Sequence, residues 1–272
     1  MIYSATGTTR FESLLQLYHN LSGANHSLFL GGAVLITLGL AFKAAIVPFH
    51  MWAPDVYDGA PNPVTAFMAV GTKVGAFAAF TRVFLVALPQ FDLLWSEGIS
   101  WLAIITMIYA NCVALRQTQL RRFFAYSGIS HAGFLLMPIV AGGIEAIPSL
   151  KLYLMVYSMA TLGAFAVLSL LDGQKQGLFL KDLRGLFSHS PWLAALMSLA
   201  LLTLAGIPPT AGFFAKFYVF KVAFQTGYYG MIIVGLLTTI LSVYYYLRMI
   251  SLMLMDSEET ENMFLSWPAA AV

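Results

Sequence analysis

The chain has 272 residues, of which 60% are hydrophobic and only 10% charged, with a mean hydropathy of +0.80. Soluble domains carry about 25% charged residues, so this composition cannot cover a water-facing surface and the surrounding solvent must be mostly lipid. A formal net charge of +2, with no Lys/Arg tract longer than Arg121-Arg122, excludes nucleic acid as a partner, and a single cysteine, Cys112, excludes an intrachain disulfide framework and any cysteine-rich metal site.

Residues 1–26 contain Arg10, Glu12 and several polar residues and lack the apolar core of a signal peptide. They read as a polar segment leading into the first span. A spanning helix needs about 20 mostly apolar residues. Seven segments qualify, at 27–48, 63–88, 98–116, 122–142, 150–171, 192–224 and 228–255, followed by a tail at 256–272. Backbone exposed to lipid must be paired internally, so these segments are expected to be helices. No repeat is evident and no Ser/Gly-rich linker divides the chain. The expected fold is all-α: a polytopic transmembrane helix bundle forming one domain over 27–255.

Two of the spans are irregular. The first runs through Lys43 to Pro48 and continues apolar as far as Trp52 and Pro54. The sixth is too long for one straight crossing and carries Gly206-Ile207-Pro208-Pro209-Thr210 near its middle. A proline removes an amide donor and clashes with the preceding turn, so both helices are expected to be discontinuous, with breaks at Pro48 and at Pro208 and Pro209. Broken helices in membranes line protein-filled or watery interiors and recur at ion sites.

Connections that alternate between the two sides differ in charge. The loops 49–62, 117–121 and 172–191 and the C-terminal tail, with the adjoining helix ends, hold Arg116, Arg121, Arg122, Lys175, Lys181, Arg184 and Arg248. The other side has Arg10 and, at a helix mouth, Lys151. The positive-inside rule makes the first side cytoplasmic, or its organellar equivalent. The N-terminus is then outside and the C-terminus on the cytoplasmic side, in a bacterial inner membrane or an equivalent organelle membrane.

Three lysines, Lys43, Lys73 and Lys216, lie inside apolar runs, and none of the seven runs contains Asp or Glu. A charge at bilayer depth costs about 3 kcal/mol on insertion scales. Such residues persist where they face a partner or a watery path. Desolvation penalises an ammonium, so a lysine at this depth can take up or release a proton according to the charge beside it. Lys43 and Lys216 each lie within two turns of a helix break, and Lys73 sits among small residues that permit close packing. His131, beside Ser127 and Ser130, can bridge a proton wire, since histidine titrates near physiological pH. His50, near Asp55 and Asp58, reads as a loop or capping residue. Arg82 and Lys221 lie near span ends, where snorkelling accommodates them. Cys112 reads as a small core residue, and Tyr244-Tyr245-Tyr246 as packing. There is no phosphate loop, no HExxH motif and no cysteine pair for an iron–sulfur cluster, so any redox chemistry is expected elsewhere.

The stretch Phe42-Lys43-Ala44-Ala45-Ile46-Val47-Pro48-Phe49-His50-Met51-Trp52-Ala53-Pro54-Asp55 resembles the antiporter-like, proton-translocating membrane subunits of respiratory complex I, most of all the subunit N branch. Thr72-Lys73-Val74-Gly75, the run from Leu120 to Gly133, and Leu204-Ala205-Gly206-Ile207-Pro208-Pro209-Thr210 through Lys216-Phe217 continue the similarity. The last two runs are shared with multisubunit cation/proton antiporters. The resemblance implies proton transfer by Lys43 on one broken helix, Lys73 on the next helix and Lys216 on a second broken helix, with His131 as a further candidate, joined along a hydrated midplane axis. It implies a non-redox subunit of an NADH- or ferredoxin-driven quinone oxidoreductase. NADH, FMN, Fe–S clusters and quinone are held by other subunits, and this chain binds no cofactor or metal. Other membrane subunits and lipid are the expected partners. Compared with the family pattern, the first six helices and their intramembrane glutamate have no counterpart, so a separate chain is expected to supply them. A cation/proton antiporter subunit and a truncated structural scaffold are the alternatives.

Overall fold

The structure is a computed structural model and describes residues 1–18, 21, 23–87, 92–172 and 177–255. The tail 256–272 and Lys175 lie outside the described residues. The helices in chain order are α1 (Ile2–Thr6), α2 (Phe11–Tyr18), α3 (Ala24–Ala44), α4 (Trp52–Gly59), α5 (Asn62–Phe80), which continues as a π-helical turn Thr81–Ala87, α6 (Asp92–Ala114), α7 (Leu120–Ala141), α8 (Ala146–Asp172), α9 (Leu186–His189), α10 (Pro191–Ala205), α11 (Ala211–Gln225) and α12 (Tyr229–Leu254). Among the described residues, six helical segments are long and apolar enough to cross a membrane, and the sixth expected span is divided into the shorter apolar helix α10 and the helix α11. At the N-terminus, Met1 and Ile2, at the start of α1, lie against Gly31 and Gly32 of α3.

The two breaks share one backbone device. Helix α3 stops at Ala44, ahead of Pro48, because Ala45 turns into the left-handed region at φ 58° and Ile46 N–H donates back to Ala41. Helix α10 stops at Ala205 in the same way, with Gly206 at φ 78° and Ile207 N–H donating to Leu202. This is the Schellman arrangement, and a proline follows the cap by two or three residues in each case. Glycine adopts that conformation at no steric cost; alanine does so only where its surroundings hold it. At the first break Val47 N–H, freed by the interruption, donates to Thr106 Oγ1 (3.1 Å) inside the protein, and Trp52 Nε1–H adds a second donor (2.8 Å) to the Phe42 carbonyl, which also accepts from Ala45 N–H.

Helix α7 is the axis of the bundle. All but a few of its residues are buried, whereas the other spans each keep one face open. Gly133 lets α6 approach it, since a Cβ there would lie 2.6 Å from Met107 Cγ and 3.0 Å from the Ala103 carbonyl. At one end of the bundle, charges hold α4, α5, α7 and α8 together. Arg121 pairs with Asp172 and donates to Asn62 Oδ1 (2.7 Å) and the Asp58 carbonyl (3.0 Å). Arg122 pairs with Asp58 (3.0 Å) and Asp55 (2.8 Å), and Gln119 donates to Asp58. The two arginines counted as loop charges are therefore the clamp that docks the short helix α4.

Close backbone approach also closes the second break, where a Cβ on Gly212 would sit 1.7 Å from the Thr203 carbonyl oxygen. Gly212→Ala is expected to destabilise the protein by about 1–3 kcal/mol, the cost of overpacking a fixed site. Gly75→Ala, where nothing lies within 4 Å, is expected to be neutral or to stabilise by up to about 1 kcal/mol through helix propensity. Thermal unfolding of both variants in detergent micelles distinguishes the two outcomes.

Candidate functional site

Helix α5 carries Lys73 at its centre, and the side chain turns inward to 2% exposure. Its Nζ lies 5.7 Å from the centre of the Tyr157 ring of α8, within cation–π range. Gly128 of α7 makes the room: a Cβ there would fall 2.9 Å from Tyr157 Oη and 3.2 Å from Lys73 Nζ. Lysine, tyrosine and helix backbone therefore meet where only hydrogen fits.

One turn along α7, His131 is 6% exposed and hydrogen-bonded on both sides. Its Nδ1 lies 2.8 Å from Tyr153 Oη and its Nε2 lies 3.4 Å from Tyr246 Oη, and Tyr246 bonds in turn to Ser127 Oγ. The His131 and Tyr157 rings lie 5.1 Å apart, so His131 adjoins the Lys73 pair. A parallel set on the other flank of α7 links Ser130, Asn111 and Tyr245, with Asn111 Nδ2 donating to Ser130 Oγ (2.6 Å) and Tyr245 Oη to Asn111 Oδ1 (2.9 Å).

Lys216 approaches from the second broken helix. It is 5% exposed; its Nζ donates to the Ala205 carbonyl (2.8 Å), a last-turn acceptor of α10, and stands 5.1 Å from the centre of the Phe134 ring. A Cβ on Gly206 would lie 2.8 Å from Lys216 Cδ, so the αL glycine serves both the cap and the lysine stem. Between His131 and Lys216 lies a cavity of about 10 Å³, lined also by Tyr153, Tyr157 and Gly212. That is the scale of a single water.

The structure thus gathers Lys73, His131 and Lys216 around one face of α7. It does not bring in Lys43, which sits in the last turn of α3 with its side chain exposed, beside the exposed Phe42. Pro48, Pro208 and Pro209 are exposed in the turns that follow the breaks. His50 lies in the turn before α4, as a loop residue, but is only 6% exposed and stands edge-on to Tyr109 at 4.8 Å. Lys221 pairs with Glu145 (2.9 Å), and Cys112 faces outward instead of into the core. Sequence reasoning missed Tyr153, Tyr157 and Asn111 and took the tyrosine run as packing. Tyr245 and Tyr246 do pack edge-on against Phe123, yet each also carries a buried hydrogen bond. The spacing Tyr153/Tyr157, four residues apart on a helix face, was the available signal. Among the described residues no group of three or more His, Cys, Asp or Glu is placed to hold a metal ion.

Tyr153→Phe removes the partner of His131 Nδ1 and leaves that nitrogen buried. A loss of about 1–3 kcal/mol is expected for an orphaned buried polar atom, read as a lowered unfolding temperature. Tyr244→Phe, at an exposed ring, is expected to leave that temperature unchanged.

The chain is 63% identical over 273 residues to the NADH-quinone oxidoreductase subunit N of Protochlamydia amoebophila, an alignment that takes in all of this chain and 57% of that protein. It also matches a chain of respiratory complex I from Thermus thermophilus solved with bound aureothin, at 38% identity and a TM-score of 0.77, covering 92% of this chain and 53% of the other. A chain of the Mrp complex from a Dietzia species shares the fold at 24% identity and a TM-score of 0.84, covering 94% of this chain and 47% of that one. The chain spans about half the length of the curated relatives it matches. The sequence profile of the transmembrane family of NADH:quinone oxidoreductases and Mrp antiporters matches residues 1–242, and the chain belongs to that family.

Proposed function

We propose that this chain forms the lysine-bearing part of a proton-translocating membrane subunit of an NADH:quinone oxidoreductase, and that protons pass along Lys73, His131 and Lys216. The observation that carries this reading is the convergence of those three buried proton-binding groups, from α5, α7 and α11, on one tyrosine-lined face of α7. Two ammonium groups buried on either side of His131 repel through a weakly polarisable interior. The cluster therefore holds one excess proton comfortably, and loading either lysine favours emptying the other. Tyr157 stabilises an ammonium on Lys73 through its ring. His131 relays between the lysines, with Tyr153 and Tyr246 fixing its ring. One water in the small cavity would complete the link to Lys216. On Lys216 the ammonium is held by the Ala205 carbonyl that the helix break sets free.

Lys43 lies on the open face of α3 at the first break. In this reading a carboxylate from protein outside this chain pairs with it, and the making and breaking of that pair sets the proton affinity of Lys73 on the neighbouring α5. NADH, FMN, Fe–S clusters and quinone belong to other subunits, whose redox energy drives the change. The chain itself supplies no redox chemistry. The N-terminus lies on the outer side of the membrane, and the clamp of Arg121 and Arg122 lies on the cytoplasmic side.

Lys216→Ala and Lys43→Ala are expected to lower the proton-to-electron ratio of the complex in reconstituted vesicles while the complex still assembles. A wild-type ratio in both variants rules out the relay. If all three lysines tolerate replacement by Met, the chain is a scaffold. Sodium-dependent transport that ignores quinone-site inhibitors identifies a cation/proton antiporter instead.

A further inference from the structure

An open groove of about 410 Å³ runs between α5 and α8 on the outer face of the bundle. One wall is Val74, Ala78 and Thr81, and the other is Leu150, Leu154 and Ser158. Its two hydroxyls are satisfied within their own helices, Ser158 Oγ donating to the Leu154 carbonyl (2.6 Å) and Thr81 Oγ1 to the Phe77 carbonyl (2.9 Å). The channel itself is therefore apolar and has nothing to offer a polar ligand. Its one charged lining residue is Lys151. That side chain is exposed and makes no ion pair or hydrogen bond among the described residues.

Depth identifies what fits. Lys151 lies in the second turn of α8, near the membrane surface, whereas Ser158 and Val74 lie at the middle of their helices. The rise from Lys151 to Ser158 is about 10 Å, most of the ~15 Å thickness of one hydrocarbon leaflet. An ammonium at the headgroup end and an apolar channel reaching toward the midplane match an amphiphile with an anionic head and an extended chain. Lysines at such positions extend toward the interface, where the ammonium can pair with the phosphate of an anionic lipid in the outer leaflet. A second apolar groove of about 390 Å³, between α8 and α10, has no charged residue in its lining and lacks that complementarity.

We propose that the α5–α8 groove is a binding site for one anionic phospholipid, its acyl chain lying between Val74 and Ser158 and its phosphate held by Lys151. The inner end of the groove is formed by Val74 and Ser158, the chain neighbours of Lys73 and Tyr157. The site requires membrane embedding and does not depend on proton transfer.

The test uses the assembled membrane complex containing this chain, in phosphatidylcholine nanodiscs doped with phosphatidylglycerol that carries a photoactivatable acyl chain. Crosslinked peptides are mapped by mass spectrometry. Labelling of residues 74–81 and 150–158 is expected to exceed that by phosphatidylcholine with the same photoactivatable chain by about fivefold. The groove between α8 and α10 is expected to show no preference. Lys151→Glu and Lys151→Met should abolish the preference, and Ala78→Trp should reduce labelling by both lipids. Equal labelling by the two lipids, or a preference that survives both Lys151 variants, overturns the proposal. So does labelling only by a photoactivatable fatty acid, and so does absence of labelling, which places another protein segment over the groove.

Discussion

A backbone amide or carbonyl released inside a hydrocarbon layer must find its partner within the protein. Both helix breaks obey that constraint, and much of the site follows from it. At the first break the partner of the Val47 amide is the Thr106 hydroxyl. At the second, the partner of the Ala205 carbonyl is the ammonium of Lys216. An acceptor that would be costly to bury thus becomes the seat of a cation that would be costly to bury. Neither is well placed alone, and together they define one position at which a proton can be held at depth.

The breaks are set by backbone conformation more than by the prolines that advertise them. In each case a left-handed residue ends the helix before the ring can interfere, and the proline only prevents its resumption. Lys43 precedes the first break and Lys216 follows the second, yet they face different surroundings. Lys216 is enclosed by α7, α8 and α10, whereas the face of α3 that carries Lys43 is open. Because the chain spans only about half the length of its relatives, the environment of Lys43 is a property of the larger assembly in the proposed reading.

Small residues perform the corresponding task for the side chains. Gly128, Gly206 and Gly212 lie where a methyl group would strike Tyr157, Lys216 or the Thr203 carbonyl. Gly128 brings Tyr157 and Lys73 against the central helix, Gly206 seats the stem of Lys216 at the end of α10, and Gly212 brings α11 against α10. At the end of the bundle the arginine–aspartate clamp fixes α4 relative to α7 and α8. The geometry at the first break is therefore tied to the helices that carry Lys73 and His131.

The sequence by itself determined the solvent, the helices, both interruptions and the lysines worth attention. Composition, apolar run length, proline chemistry and the cost of buried charge are local or additive quantities, and they are legible one residue at a time. Only the tertiary structure decided which of those residues meet. Lys73, His131 and Lys216 are separated by 58 and 85 residues along the chain, and no periodicity encodes their convergence. The same holds for Tyr153, Tyr245 and Tyr246, whose hydroxyls could be told from mere packing only once their partners were in place. The outward turn of Lys43 and Cys112 and the burial of His50 depend on which helix face each neighbour covers. That choice belongs to helix–helix packing, where shape complementarity across distant segments decides the outcome.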